Sequence, residues 1–228
     1  MRNIAWWMEP SVAELDEGRG LSQAQAGFAA WSLPECTDIQ FPFAGLREGL
    51  VPEYRSEGPN RNVVVLLETW PYDEGAIAIT TTAYDSSSGV VLDADIELNG
   101  ETFRFGVVEN TCPEGAVTDL GNTITHEVGH LLGLDHPPAS ARYVETTMFA
   151  QADLCETKKR SLAADDIEGV CAIYPADQPT APCFPPDQLS FQVVRTEDGY
   201  GCAAGGQGGF VGLGLLVLLG LSLRSRRS

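Results

Sequence analysis

The chain has 228 residues, 43% of them hydrophobic, and a formal net charge of −18. It is long enough to bury one good core and too acidic to favour a nucleic-acid partner. Its six cysteines match no zinc-finger spacing, so disulfides in an oxidising compartment are the natural reading, with buried free thiols as the alternative.

Ile4 to Met8 is apolar, but Glu9 and Pro10 interrupt it too soon for the core of a signal peptide. It reads as the first strand, and export then needs a start upstream of Met1 or another route. Ser22 is a candidate cap for a helix carrying Ala24, Ala26, Phe28, Ala29 and Trp31 and stopped by Pro34. Ile39 to Phe41 follows as an apolar strand. Asn62 to Glu68 is a continuous apolar run of strand length, suited to a central strand covered on both faces. Ala76 to Tyr84 is threonine-rich and partly alternating, the pattern of another strand, with the edge of the sheet as its expected place. An acid-rich turn and strand then hold Asp85, Asp93 and Asp95.

Residues 126–136 read HEVGHLLGLDH. On a helix, His126 and His130 lie four apart on one face, close enough for both imidazoles to reach one cation, with Glu127 beside them as a base. Ile124, Val128, Leu131 and Leu132 fall on the opposite side, so the helix buries one flank. Gly133 then ends it in a left-handed turn that returns His136 as a third ligand. Three imidazoles leave the fourth position of a tetrahedral zinc open, as in a catalytic site. Only three histidines exist in the chain, and chance would give them this spacing on the order of once in ten thousand.

The pattern H-E-x-x-H-x-x-G-x-x-H resembles the metzincin metalloproteases, and Gly133-Leu134-Asp135 before His136 is most similar to the matrixin branch. Met148 resembles the family's Met-turn, the apolar floor under the metal. Asp93 to Asn99 is similar to the strand before the active-site helix of bacterial matrixin-like enzymes, and Asp165 to Val170 with Tyr174 resembles their last helix. The likeness covers roughly residues 3 to 175. Ala150 stands where some metzincin branches have a tyrosine, and Pro137 follows the third ligand.

The resemblance implies an α+β sandwich: a mixed twisted sheet, an active-site helix, a Met-turn and a C-terminal helix. It implies a zinc endopeptidase in which His126, His130 and His136 hold one zinc. Glu127 takes a proton from a zinc-activated water, and an ordinary carboxylate pKa suffices for it. Protein or peptide substrates would add as a strand to the edge at 76–84. Calcium at the Asp85, Asp93 and Asp95 stretch is a further implication, with turn-capping, solvent-facing carboxylates as the alternative. A second zinc of the animal matrixin type has no histidines left to bind it. The competing function is a catalytically inactive cell-surface binding protein on the same fold, although Glu127 and all three histidines are present.

Cys155 and Cys171, sixteen residues apart, are the expected first disulfide, and Cys36 with Cys112 the second, other connectivities staying open. The expected organisation is a peptidase domain over 1–175, a proline-rich linker over 176–201 that Cys183 ties to the body, and a tail over 202–228. The apolar run Phe210 to Leu223, lengthened to Ala203, just spans a hydrocarbon layer, and Arg224, Arg226 and Arg227 follow it. A plain transmembrane anchor is one reading. Cys202 between glycines, a short apolar helix and arginines together also resemble the sorting tails of myxobacterial surface proteins, which implies processing and lipid attachment at Cys202 and a catalytic domain exported to the cell envelope or outer surface. A cytoplasmic tail-anchored enzyme is the third, and the other cysteines count against it.

Overall fold

A computed structural model describes residues 2–86 and 88–176 and the backbone strand 191–195. The first elements are β1 (Arg2–Asn3), β2 (Trp6–Met8), the helical segments α1 (Pro10–Ala13), α2 (Leu15–Gly18) and α3 (Gly20–Ala30), β3 (Ile39–Gln40) and β4 (Phe43–Leu46). Then come β5 (Asn62–Leu67), β6 (Ala78–Asp85), β7 (Val91–Asn99), β8 (Phe105–Gly106) and β9 (Thr118–Asp119). The long buried helix α4 (Leu120–Leu131), the last helix α5 (Ala164–Ile173) and β10 (Phe191–Arg195) complete the order.

Six strands form one mixed sheet in the order β10-β6-β7-β5-β2-β4. The strands β4, β2, β5 and β7 run parallel, while β6 is antiparallel to β7. As its unbroken apolar run predicts, β5 is interior, with Val63, Val64 and Val65 all buried. Val64, Ile96 and Leu98 join Phe28, Ile124 and Val128 in one core, which seats α3 and α4 against the sheet. Trp6 stacks on Phe28 with ring centroids 4.0 Å apart. The fold is the mixed α+β arrangement expected from the sequence.

Four expectations change. Helix α3 begins at Gly20, and Ser22 is no cap: its hydroxyl donates back to the Arg19 carbonyl. The disulfides are Cys36–Cys171 and Cys112–Cys155, not the pairs that sequence proximity suggests. The end of α5 returns to the segment after α3, where Thr37 bridges Pro175 and the Ala176 amide donates to the Cys36 carbonyl. Cys155, held by its amide to the Val117 carbonyl, then meets Cys112 instead. Strand β6 is not the bare edge either, because β10 pairs antiparallel with Thr81 to Asp85. The stretch expected to be linker therefore contributes a strand to the sheet.

Asp85, Asp93 and Asp95 do not gather as one cation site. Among the described residues the one cluster of three or more metal-capable groups is the histidine triad. Asp85 accepts from the Ser88 hydroxyl across the hairpin turn, as a capping role predicts. Asp93 and Asp95 meet no solvent; both are buried, and they alternate along β7 with the core residues Ala94 and Ile96, on the face away from the helices. Cys183, Cys202 and the apolar run from Ala203 lie outside the described residues. Within those residues no helix is long and apolar enough to cross a membrane.

Candidate metal centre

Helix α4 starts where the Asp119 carboxylate accepts the Asn122 amide, a side-chain cap that satisfies one of the first-turn donors. Arg160 holds that carboxylate from the other side. All twelve residues of the helix are buried, so its direction is fixed by packing on both flanks. Its end is a Schellman turn: the Leu134 amide reaches the Gly129 carbonyl at 3.0 Å and the Gly133 amide the His130 carbonyl at 2.8 Å. Gly133 sits at φ +87°, a conformation a side chain would strain. The turn reverses the chain and carries His136 back over α4.

The three Nε2 atoms lie 3.0 to 3.1 Å from one another. That spacing is close to the roughly 3.3 Å between nitrogens bound at ~2.0–2.1 Å around one tetrahedral zinc, so the donor set fits the ion. His126 Nδ1 donates to the Thr147 carbonyl at 2.6 Å and His130 Nδ1 to the Leu134 carbonyl at 2.8 Å, which turns both Nε2 lone pairs inward. Burial lowers all three imidazole pKa values, that of His130 to about 3, and favours the neutral form that binds metal.

Met148 lies beneath this triad. A Cβ on Gly129 would meet its sulfur at 2.1 Å and Trp31 at 2.8 Å, so the helix rests directly on the thioether. The turn carrying Met148 is held by Asp166 of α5, whose carboxylate accepts the amides of Thr147 and Met148 at 2.8 and 3.1 Å. Its place in the first turn of α5 predicts only a helix-dipole role for Asp166; the fold adds this clamp, which also fixes the Thr147 carbonyl under His126.

Glu127 faces the same cleft. Burial raises its carboxyl to about 7, well above the ordinary value expected for it, against the lowering effects of the Thr80 hydroxyl and of Lys159. Thr80, from β6, donates to Glu127 Oε2 at 2.7 Å. The cavity beside the triad has a volume of about 290 Å³ and is walled by Gly75 to Ala78, by α4 and by Ala150 to Ala152, with Lys159 also lining it. Neither Thr80 nor Lys159 carries a signal in the sequence: a threonine in a strand and a lysine among surface charges are ordinary.

Residues 67–175 match the Matrixin family of peptidases. This region is similar to a matrixin catalytic domain. It includes the three histidines already described, a group whose ligand atoms are close enough together to hold one metal ion. The chain is 35% identical over 108 residues to Metalloendoproteinase 5-MMP of Arabidopsis thaliana, covering 46% of this chain and 27% of that protein. It is 29% identical over 133 residues to Matrix metalloproteinase-27 of Homo sapiens, covering 55% of this chain and 23% of that one. The chain thus spans about a quarter of the length of these curated relatives.

Proposed function

We propose that the matrixin domain is a zinc-dependent endopeptidase that hydrolyses peptide bonds in extended protein segments. The observation that carries this is the convergence of three neutral imidazoles with one buried carboxyl, Glu127, in an open cleft. His126, His130 and His136 would hold the zinc, which would supply Lewis acidity to the scissile carbonyl and to the attacking water. Glu127 takes the proton of that water and delivers it to the departing amine. Thr80 orients the carboxylate through Oε2, leaving its other oxygen for proton transfer. Met148 supports the helix from below and has no chemical part.

Substrate lies as an added strand along residues 75–80, the part of the β6 side nearest the triad. The strand β10 offers the direction, since it takes this side of the sheet antiparallel to β6. A substrate in the same sense presents residues N-terminal to the scissile bond toward Thr81 and Asp85, and those C-terminal to it toward Ala78 and Gly75.

The test is digestion of a casein or peptide library by the zinc-loaded protein and by Glu127→Ala. The variant retains zinc and loses at least ~100-fold in activity, the usual contribution of a positioned base. Hydrolysis near the parent rate would remove Glu127 from the mechanism.

Two disulfides support an oxidising, extracytoplasmic location. Division into a peptidase domain over 1–175, a linker and a tail from 202 belongs to the same reading, as does anchoring or processing at Cys202. Mass spectrometry of the protein from its native cells tests it: an intact C-terminus at Ser228 with unmodified Cys202 would leave only the simple anchor.

A further inference from the structure

Lys159 is among the largest fully buried side chains of the molecule, with a relative exposure of 2%. An ammonium group taken out of water is costly unless its donors and charge are answered. This one donates to a single acceptor, the Phe149 carbonyl. Among the described residues it forms no ion pair; Glu156, whose charge acts on it, bridges Lys158 through Oε2 and has no hydrogen-bond partner at Oε1. Burial draws its pKa down to about 8, with Glu156 and Glu127 opposing that shift, so the group remains largely charged at neutral pH. Two of its three donor positions therefore have no partner, and the side chain lines the cavity beside the zinc triad.

The rest of that cavity says which part of a substrate it receives. Its near wall is Gly75, Ala76, Ile77 and Ala78, the segment that leads into β6, and its far wall includes Ala150 and Ala152. Neither of these walls carries a charge; the one carboxyl lining the cavity is that of Glu127, on the α4 side. On the reading proposed above, a substrate antiparallel to β6 passes Gly75 to Ala78 only after the scissile bond. The cavity thus opens under the first residue on the C-terminal side of the cut.

We propose that Lys159 is the specificity-determining residue of this cleft, its ammonium receiving the side-chain carboxylate of an aspartate or glutamate placed immediately C-terminal to the scissile bond. The assignment rests on the endopeptidase reading. A carboxylate there would complete the two free donor positions with charge-assisted hydrogen bonds. A neutral apolar side chain would fill the space and leave the ammonium unanswered, the situation in which sites built for a polar group reject its analogue.

The experiment uses the zinc-loaded full chain and a peptide series that differs only in the residue after the cleaved bond: Glu, Asp, Gln, Leu, Ala and Lys. Products are located by mass spectrometry. The expected result is kcat/KM for Glu or Asp at least ~10-fold above Gln, the uncharged analogue of Glu. In Lys159→Met that gap closes, mainly through loss on the acidic peptides. Equal or better cleavage of Gln or Leu by the unmodified protein would overturn the assignment while leaving the peptidase reading intact, and this comparison needs no variant to fold. Absence of cleavage across the whole series, with zinc bound, would overturn both.

Discussion

Thr80 on β6 and Glu127 on α4, forty-seven residues apart in the chain, are joined by a hydroxyl-to-carboxylate hydrogen bond of 2.7 Å. The bond ties Glu127, the base of the proposed mechanism, to the strand along which substrate is proposed to lie, so the two share one rigid support. Thr80→Val keeps the shape and removes the donor. We expect kcat to fall about 10-fold, the scale of a hydrogen bond to a charged group, with zinc content unchanged. Thr80→Ser should recover most of the rate. A Thr80→Val variant with parent kcat would show that Glu127 needs no such orientation.

Gly129 touches Met148 so closely that even a methyl group does not fit. Overpacking of this kind costs about 1–3 kcal/mol. Gly129→Ala is therefore expected to lower Tm by several degrees and to weaken zinc retention, because the displaced turn also carries the Thr147 carbonyl that orients His126. Thermal unfolding with metal analysis checks both, and an unchanged Tm would contradict the contact.

The buried pair Asp93 and Asp95 gives stability a pH dependence. Burial pushes both carboxyls up into the neutral range, and the charge of Asp93 raises Asp95 further. The folded protein then binds more protons than the unfolded chain between the two sets of pKa values, so the pair's contribution is full near pH 4 and is lost as pH rises through 7 to 8. Asp95→Asn retains an acceptor for the Val63 amide that Asp95 now receives and removes one ionising group. It should be more stable than the parent at pH 8 and nearly equal at about pH 4. Denaturant titrations at the two pH values decide, and a parent gaining stability toward the higher pH would refute the pair's role.

Strand β10 competes with substrate for the far part of the β6 side. Replacing Val193 and Val194 together by proline removes two successive amides, one of which must face β6 in an antiparallel ladder. Peptides long enough to reach Thr81 to Asp85 should then be cleaved with kcat/KM several-fold higher, while short peptides are unaffected. Equal gains on long and short peptides would mean that β10 acts elsewhere than on this edge.

The amino-acid sequence by itself determined whatever depends on neighbours in the chain. The helical period brings His126, Glu127 and His130 together and sets Ile124 and Val128 opposite, because 3.6 residues per turn is a property of the backbone itself. Gly133 marks the reversal for an equally local reason, and the apolar run of β5 declares a strand covered on both faces. The Cys36–Cys171 bridge, the Thr80 hydroxyl, the Asp166 clamp, the β10 pairing and the burial of Lys159 have no such local mark. Each joins segments separated by tens of residues or sets the surroundings of one side chain, and is fixed only when α3, α4, α5 and the sheet close on one core. Residue type and spacing thus determined the metal chemistry, whereas packing between distant segments decided what surrounds the metal and which charge waits in the cavity beside it.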